Sequence, residues 1–334
     1  MPVEGRPQPL PLRPGDRSEA VRDLQQRLAR LGFDIGGHEL GTFHEDTAAA
    51  VRSFQEQRGL RADGICGPQT WSALVEAGYC LGDRLLYLRE PMLRGDDVAA
   101  LQRRLGALGF DAGRVDAIFG PLTKTALDEL QRNAGLTVDG VCGPATLSML
   151  DRLGPRGADR EPVAVVRELE LLRHAPRTLQ GRRVAVGDAG GLHAAAAAAA
   201  RALAAAGAEV VVLQHPDQSE QAAEANAAVV DVYIGLRLDV DAQGCTTAHY
   251  ASHRYVSPAG QGLALLVQAV LPEVLGIPDG GVRGMALPVL RETRMPAVVC
   301  ELGPPAAVVA RTAELAEGLA RALGTWATAP FVEA

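Results

Sequence analysis

Lysine is nearly missing from this sequence: Lys124 stands alone among 33 basic residues, which with 40 acidic residues leave a net charge of −7. Such a balance lacks the positive footprint that a phosphate backbone requires, so nucleic acid is excluded as a partner. Cysteine is also scarce. Five Cys in 334 residues, none in Cys-x-x-Cys spacing, form neither a disulfide framework nor a thiolate metal knuckle, and they read as reduced, mostly buried thiols. Long hydrophobic runs are missing too: the longest stretch without charge or turn residues, around Leu192–Ala200, is too short to cross a bilayer, and the chain is expected not to be membrane-embedded. Met1–Pro7 shows no basic stretch leading into an apolar core and a small-residue cleavage site, so the expected location is the cytoplasm. What is present is a globular composition, 47% hydrophobic and 22% charged, in a chain long enough for two or three domains.

The first half repeats itself. Val21, Leu24-Gln25, Leu28 and Leu31-Gly32-Phe33 return as Val98, Leu101-Gln102, Leu105 and Leu108-Gly109-Phe110. Farther on, Phe43, Thr47, Phe54-Gln55, Gly59-Leu60 and Asp63-Gly64-Ile65-Cys66-Gly67-Pro68 return as Phe119, Thr123, Leu130-Gln131, Gly135-Leu136 and Asp139-Gly140-Val141-Cys142-Gly143-Pro144, with one residue fewer in between. The spacing of Val21, Leu24, Leu28 and Leu31 predicts an amphipathic helix, with Asp16 and Glu19 as a capping box at its start and Gly32 as its stop. A second helix is expected over Thr47–Arg58, and a short third one opens at Pro68, where a residue without an N–H suits the first turn. Asp-Gly before the third helix supplies a turn and no chemistry. Cys66 and Cys142 share one position in the two copies and read as small buried hydrophobes rather than as a disulfide or metal ligands.

These units, taken as residues 12–80 and 86–152, resemble the peptidoglycan-binding repeat, with its Val-x-x-Leu-Gln-x-x-Leu opening and its Phe-x-x-x-Thr, Phe-Gln, Gly-Leu and Asp-Gly-x-x-Gly continuation. The resemblance implies two three-helix modules that bind cell-wall material. A generic helical interaction module, in which the same Leu, Phe and Gln positions are only core, remains the alternative.

Residues 153–180 mix Gly, Pro and charge around one helical stretch, Val163–Arg173, and read as a linker with a docking helix. Beyond it strands are expected at Arg183–Val186, Glu209–Leu213, Val232–Leu236, Thr246–Ala251 and Ala297–Glu301. Helices are expected at Ala194–Ala206, Ser219–Val229, Ala259–Leu271 and Ala306–Leu323. This alternation predicts an α/β domain over 181–326 with a mostly parallel sheet, whose ligands bind beyond the carboxyl ends of the strands. The expected fold class is therefore α plus α/β: two three-helix repeats followed by a three-layer α/β domain.

Four segments are placed at or just after strand ends: Gly187-Asp188-Ala189-Gly190-Gly191, Ile234–Asp239, Glu224-Ala225-Asn226 and Cys300-Glu301-Leu302-Gly303. With them the second half resembles the zinc-dependent N-acetylmuramoyl-L-alanine amidases, in which two His and one Glu hold zinc and a Glu in a late Glu-Leu-Gly-Phe strand is the acid/base. Carried over residue by residue, the first zinc His falls on Ala189, which has no donor atom. The second falls on Arg237, whose guanidinium has only N–H donors and brings a positive charge to the place of a dication. No Glu stands in the short Gly191-Leu192-His193 loop, where His193 is a poor substitute. Glu301 matches the acid/base as a vestigial catalytic position, while Pro304-Pro305 replaces the Phe. The resemblance thus implies a degenerate amidase with no cofactor, its ancestral zinc site lost, and charge complementarity pairs Arg237 with Glu301 in the emptied cleft.

The whole pattern, two repeats, a linker and an amidase-like domain with Arg in the second His slot, together with Gly95-Asp96-Asp97-Val98 and Arg294-Met295-Pro296, resembles the CwlM-type family of peptidoglycan-synthesis regulators. It implies a cytoplasmic protein that binds peptidoglycan or a lipid-linked precursor, stimulates a MurA-type enzyme and contacts the lipid II transport machinery. In that family a Ser/Thr kinase modifies a C-terminal tail Thr; here Thr325 and Thr328 are the nearest hydroxyls to Pro330–Ala334.

His249 and His253 have the separation of an HExxH zinc helix, but Tyr250 follows the first His and the stretch is β-prone, which sets the two about 13 Å apart. His38, His44, His174 and His215 read as solvated surface. Two functions are set against each other: a non-catalytic regulator that binds peptidoglycan precursors and proteins, and an exported zinc amidase that cleaves the MurNAc–L-Ala bond. A purely structural hub is the third.

Overall fold

The computed structural model describes residues 10–154, 163–252 and 255–329. The chain divides into two compact units, Met1–Ala164 and Val165–Ala334.

In the first unit, α1 (Glu19–Arg30) buries Ala20, Val21, Leu24, Gln25 and Leu28 along one stripe. Its cap is Ser18, whose Oγ accepts the Val21 N–H at 3.3 Å. Asp16 is not the cap: the helix begins too late for it, and its carboxylate instead accepts the Arg13 N–H, closing the preceding turn. Helices α2 (Glu45–Gln57) and α3 (Pro68–Ala77) complete the repeat, the first opened by Glu45 and Asp46, which favour a helix N-terminus, the second by Pro68. Phe43, Val51, Phe54 and Leu74 fill its core with the α1 stripe, and Cys66 lies among them, bridged through its backbone to Leu12. The second repeat has the same plan in α4 (Asp96–Ala107), α5 (Pro121–Asn133) and α6 (Pro144–Leu153), with a Leu86–Cys142 bridge.

Two buried glutamines hold the loops of each repeat. Gln55 donates to Asp63 Oδ1, Ile65 O and Thr70 Oγ1 and accepts the Gly64 N–H; Gln131 does the same with Asp139, Val141, Thr146 and Gly140. Gln25 and Gln102 clamp the loop before the second helix, accepting the N–H of Gly41 and of Ala117 respectively. The Leu-Gln and Phe-Gln pairs of the sequence are thus one apolar core residue followed by one polar clamp, and the polar partner sits in the interior because its amide is fully hydrogen-bonded. The two repeats are joined by a forked ion pair from Arg58 to Asp96, at 2.8 and 3.0 Å. Beside it the buried Asp97 takes two bonds from Arg84, which lies over the Tyr79 ring. The Asp97 carboxylate raises the Arg84 guanidinium above its ordinary pKa.

The stretch expected as a linker carries α7 (Val163–His174). Leu172 and Leu179 enter the core of the second unit, and the buried Glu168 accepts from Tyr255 Oη at 2.8 Å and Ser257 Oγ at 2.6 Å. The sheet and its helices follow in the order β1 (Arg183–Asp188), α8 (His193–Ala205), β2 (Glu209–Gln214), α9 (Gln218–Ala227), β3 (Val232–Leu238), β4 (Cys245–Ser252), β5 (Tyr255–Val256), α10 (Pro258–Gln268), α11 (Leu271–Leu275), β6 (Asp279–Met285), α12 (Pro288–Glu292), β7 (Ala297–Leu302), α13 (Pro305–Ala310) and α14 (Thr312–Thr328). Strand order is β2-β1-β3-β7-β4-β5, with β6 on β4. Neighbours from β2 through β7 are parallel, β4 runs antiparallel to β7, and β6 is parallel to β4. The three-layer α/β architecture with a mostly parallel sheet is the one the alternation predicts.

Alternate residues of β1, β3 and β7, among them Val184, Val186, Ile234, Leu236, Val298 and Cys300, pack under α8, α10 and α14, while Tyr233, Gly235, Arg237 and Glu301 face the other way. The structure adds β6, whose Asp-Gly-Gly-Val-Arg-Gly sequence has no apolar alternation, and it breaks the helix expected at Ala306–Leu323 near Arg311. Pro258–Leu275 is 18 residues long with a mean hydropathy of 1.2, enough to cross a membrane by length and composition; half of it is buried inside the domain, and it is divided between α10 and α11.

Candidate functional site

The carboxyl end of β3 and that of β7 lie side by side, and their register pairs Arg237 with Glu301. Arg237 Nη1 donates to Glu301 Oε1 at 3.2 Å, so the expected ion pair is present; 34% of the Arg237 side chain and 18% of the Glu301 side chain reach solvent. On the other side of β3, Asp188, the last residue of β1, pairs with Leu236, and Ala189 opens the loop that follows. Ala189, in the loop just after β1, and the paired Arg237 and Glu301 make up a row of positions at the edge where α/β sheets bind ligands.

The loop holding Ala189 is tied down by Asp188, a buried carboxylate that accepts the N–H groups of Gly190 at 2.8 Å and Leu192 at 3.2 Å. Behind it, Gln221 on α9 donates to Asp188 O and His215 O and accepts from the Tyr233 hydroxyl. Burial, aided by the Asp188 charge, keeps that phenol protonated far above its ordinary range. Gly187 is required here by close approach: a Cβ would run into Tyr233 Oη and Gln221 Oε1. Asn226 binds Glu292 O through Nδ2 and the Arg294 N–H through Oδ1, fastening α9 to the segment before β7. Sequence reasoning missed these supports; the polar residues among Ala-rich helical turns were the available signal.

Zinc does not fit this row. Ala189 has no ligating atom, Arg237 offers only donors, and Glu301 is the single Lewis base; among the described residues no group of three His, Cys, Asp or Glu is placed to hold a metal. His193 opens α8 and meets Gln214 Nε2 on β2, one strand beyond β1 and on the opposite side from Arg237. His249 lies on β4, in the face with Cys245 and Cys300 rather than with Glu301; burial lowers its pKa below the ordinary imidazole value. His253 lies outside the described residues.

The structure also places the other residues singled out in the sequence. Glu224-Ala225-Asn226 is inside α9, in the helix expected at Ser219–Val229, and not at a strand end as the amidase comparison of segments had it, because the Ala-rich run around it continues the helix. Of the remaining histidines, His38 and His174 are exposed as expected, and His44 and His215 are half-buried; the His38 and His44 rings lie 4.6 Å apart, His38 meets Asp46 at 3.0 Å, His174 lies 3.4 Å from Glu170, and His215 Nδ1 accepts the Asp217 N–H. All five Cys are free and four are buried, with Cys80 exposed. Burial pushes the thiols of Cys66, Cys142 and Cys245 up to about 12, so none of the three is a thiolate nucleophile. Thr325 and Thr328 close the last turns of α14, bonding back to Arg321 O and Gly324 O.

Comparison with known proteins agrees with this organisation. The peptidoglycan binding domain family matches residues 17–74 and 94–150. N-acetylmuramoyl-L-alanine amidase CwlM of Mycobacterium tuberculosis is 38% identical over 331 residues, covering 87% of this chain and 81% of that protein. N-acetylmuramoyl-L-alanine amidase CwlL of Bacillus licheniformis is 31% identical over 163 residues, 42% of this chain and 45% of the relative. Among solved structures, the amidase Ami1 of Mycobacterium smegmatis is similar at 13% identity, with a TM-score of 0.38 over 45% of this chain and 98% of its own.

Two peptidoglycan-binding repeats and an amidase-like α/β domain define the class: an amidase-like, peptidoglycan-binding protein. Within that class, the extent and identity of the match to the mycobacterial protein place the chain in the CwlM family.

Proposed function

We propose that this protein is a non-catalytic cell-wall regulator, built on a zinc amidase fold that has lost its metal ligands. The observation that carries the reading is the Arg237–Glu301 ion pair. Metal-assisted amide hydrolysis needs an open cation that activates water and a carboxylate that moves its proton. Here a guanidinium, which can neither ligate nor deprotonate water, occupies the cation's place and engages the carboxylate that would be the base.

In this reading the repeats bind peptidoglycan or a lipid-linked precursor, and the α/β domain presents a rigid surface to protein partners of peptidoglycan synthesis, a MurA-type enzyme and the lipid II transport machinery, in the cytoplasm. A Ser/Thr kinase would act through new charge-assisted bonds made by an added phosphate. The test is threefold on the purified chain: zinc content after growth with added zinc, release of L-Ala amino groups from peptidoglycan, and the rate of a MurA-type enzyme with and without the chain. Zinc near zero, no released amine and a faster MurA reaction are expected. One zinc per chain with amine release would overturn the reading and make the protein a working N-acetylmuramoyl-L-alanine amidase.

A further inference from the structure

Strand β2 stands at one end of the sheet: β1 pairs with one side of it, and no strand of the described residues pairs with the other. Successive residues of a strand turn their backbone N–H and C=O to opposite sides. The Glu209 N–H donates to Arg182 O at 2.8 Å, so Glu209, Val211 and Leu213 point at β1. Val210, Val212 and Gln214 therefore carry the N–H and C=O groups of the free edge. That edge is open, since Val212 is 36% exposed and the Glu209 side chain 71%. Free edges are normally blunted by Lys, Pro, glycine or a bulge. At the far end of the sheet β6 has such protection, with three glycines, Arg283 and a register shift against β4. Strand β2, Glu-Val-Val-Val-Leu-Gln, has none of it, and its register against β1 is unbroken over all six residues.

The pattern of the edge selects its occupant. Antiparallel pairing about a two-fold axis through Val212 sets Val212 opposite its own copy and Val210 opposite Gln214, so every edge residue meets another edge residue and exchanges both N–H···O bonds with it. Between these pairs Val211 meets Leu213, and at each end Glu209 meets His215. The His215 Nδ1 accepts the Asp217 N–H at 3.0 Å, which leaves Nε2 as the donor that a carboxylate needs. An axis through Val211 would instead set Glu209 against Leu213, so charge favours the first register. Helix α8, which packs on β1 and β2, exposes Ala194, Ala204 and Ala205 beside Arg201, and these methyls let the α8 helices of two copies approach over the joined sheet. We propose that β2 is a homodimerisation edge, at which two copies of this chain pair antiparallel about Val212 and join their sheets into one. Both copies use the same strand, so the assembly closes at the dimer.

The test is sedimentation velocity of the full chain over a range of concentrations, repeated with Val212→Pro and Val212→Lys. Val212→Pro removes the N–H that crosses the axis and none that β1 uses, while Val212→Lys sets like charges face to face. A concentration-dependent monomer–dimer equilibrium is expected, which each variant weakens about tenfold or more with the circular dichroism of the chain unchanged. Should Val212→Pro fail to fold, Val212→Lys decides together with hydrogen exchange of the native chain, in which amides of residues 209–215 slow as concentration rises. A monomer at every concentration overturns the proposal and leaves the edge to a strand of another protein. A dimer that the folded variants leave intact overturns it in favour of another surface, and species beyond the dimer overturn the two-fold closure.

Discussion

Ala117 has a positive φ of 62°, a conformation that costs a residue with a Cβ about 1–2 kcal/mol. It holds it because its N–H caps Gln102 Oε1, the bond that Gly41 makes to Gln25 in the first repeat with a φ of 99°. Ala117→Gly removes the steric cost and adds backbone entropy to the unfolded chain, so a net stabilisation of about 0.5–1 kcal/mol is expected in urea unfolding. An unchanged or lower midpoint would refute the strain. His249 carries a second residue-level expectation. Its folded pKa lies below the ordinary value near 6.5, so the unfolded chain binds the proton first. Its contribution is complete above pH 6.5 and is lost as the pH falls below it; His249→Asn should flatten that part of the stability–pH curve, and an identical slope in the variant would exclude His249 as its source.

At the scale of elements, periodicity explains most of what forms. The i, i+3, i+7 spacing of Val21, Leu24 and Leu28 is the buried stripe of α1, and the repeated pattern builds α4 in the same way. What holds element to element is polar and non-local. The Arg58–Asp96 fork joins the end of α2 to the start of α4, and both partners are mostly buried. A double-mutant cycle over Arg58→Ala and Asp96→Ala is expected to give a coupling of about 1–2 kcal/mol, above the 0.2–1 kcal/mol of exposed pairs. Strict additivity would show that the repeats are joined by other contacts. Elements without periodicity escaped the sequence reading: β6 is too rich in glycine to alternate, and α11 and α12 are single turns.

For the whole molecule, the row Ala189, Arg237 and Glu301 leads to the expectation that folding draws nothing from a metal. A structural or catalytic zinc adds its binding free energy to folding, and chelation then lowers the melting temperature. With no metal-competent cluster among the described residues, a chelator is expected to leave the thermal transition of this chain where it is. A downward shift of several degrees would reveal a site that the row does not contain. Glu301→Ala gives the complementary case, since it strips Arg237 of its one side-chain partner among the described residues, and a lowered urea midpoint is expected.

Residue types and local spacing by themselves determined that two helical repeats precede an α/β domain, while only the amidase resemblance implied that Ala189 and Arg237 stand at ligand positions. Helices, capped turns and strand alternation are set within a few residues of chain, and no fold can turn a methyl or a guanidinium into a metal ligand. The amidase resemblance, together with charge complementarity, suggested that Arg237 meets Glu301. That they do so, 64 residues apart in the chain, was decided by the register of β3 against β7. The tertiary structure alone also decided that Gln25, Gln55, Gln102 and Gln131 are interior clamps and that His249 faces away from Glu301. Each depends on which distant groups are brought within hydrogen-bonding range, and only the packed chain specifies that.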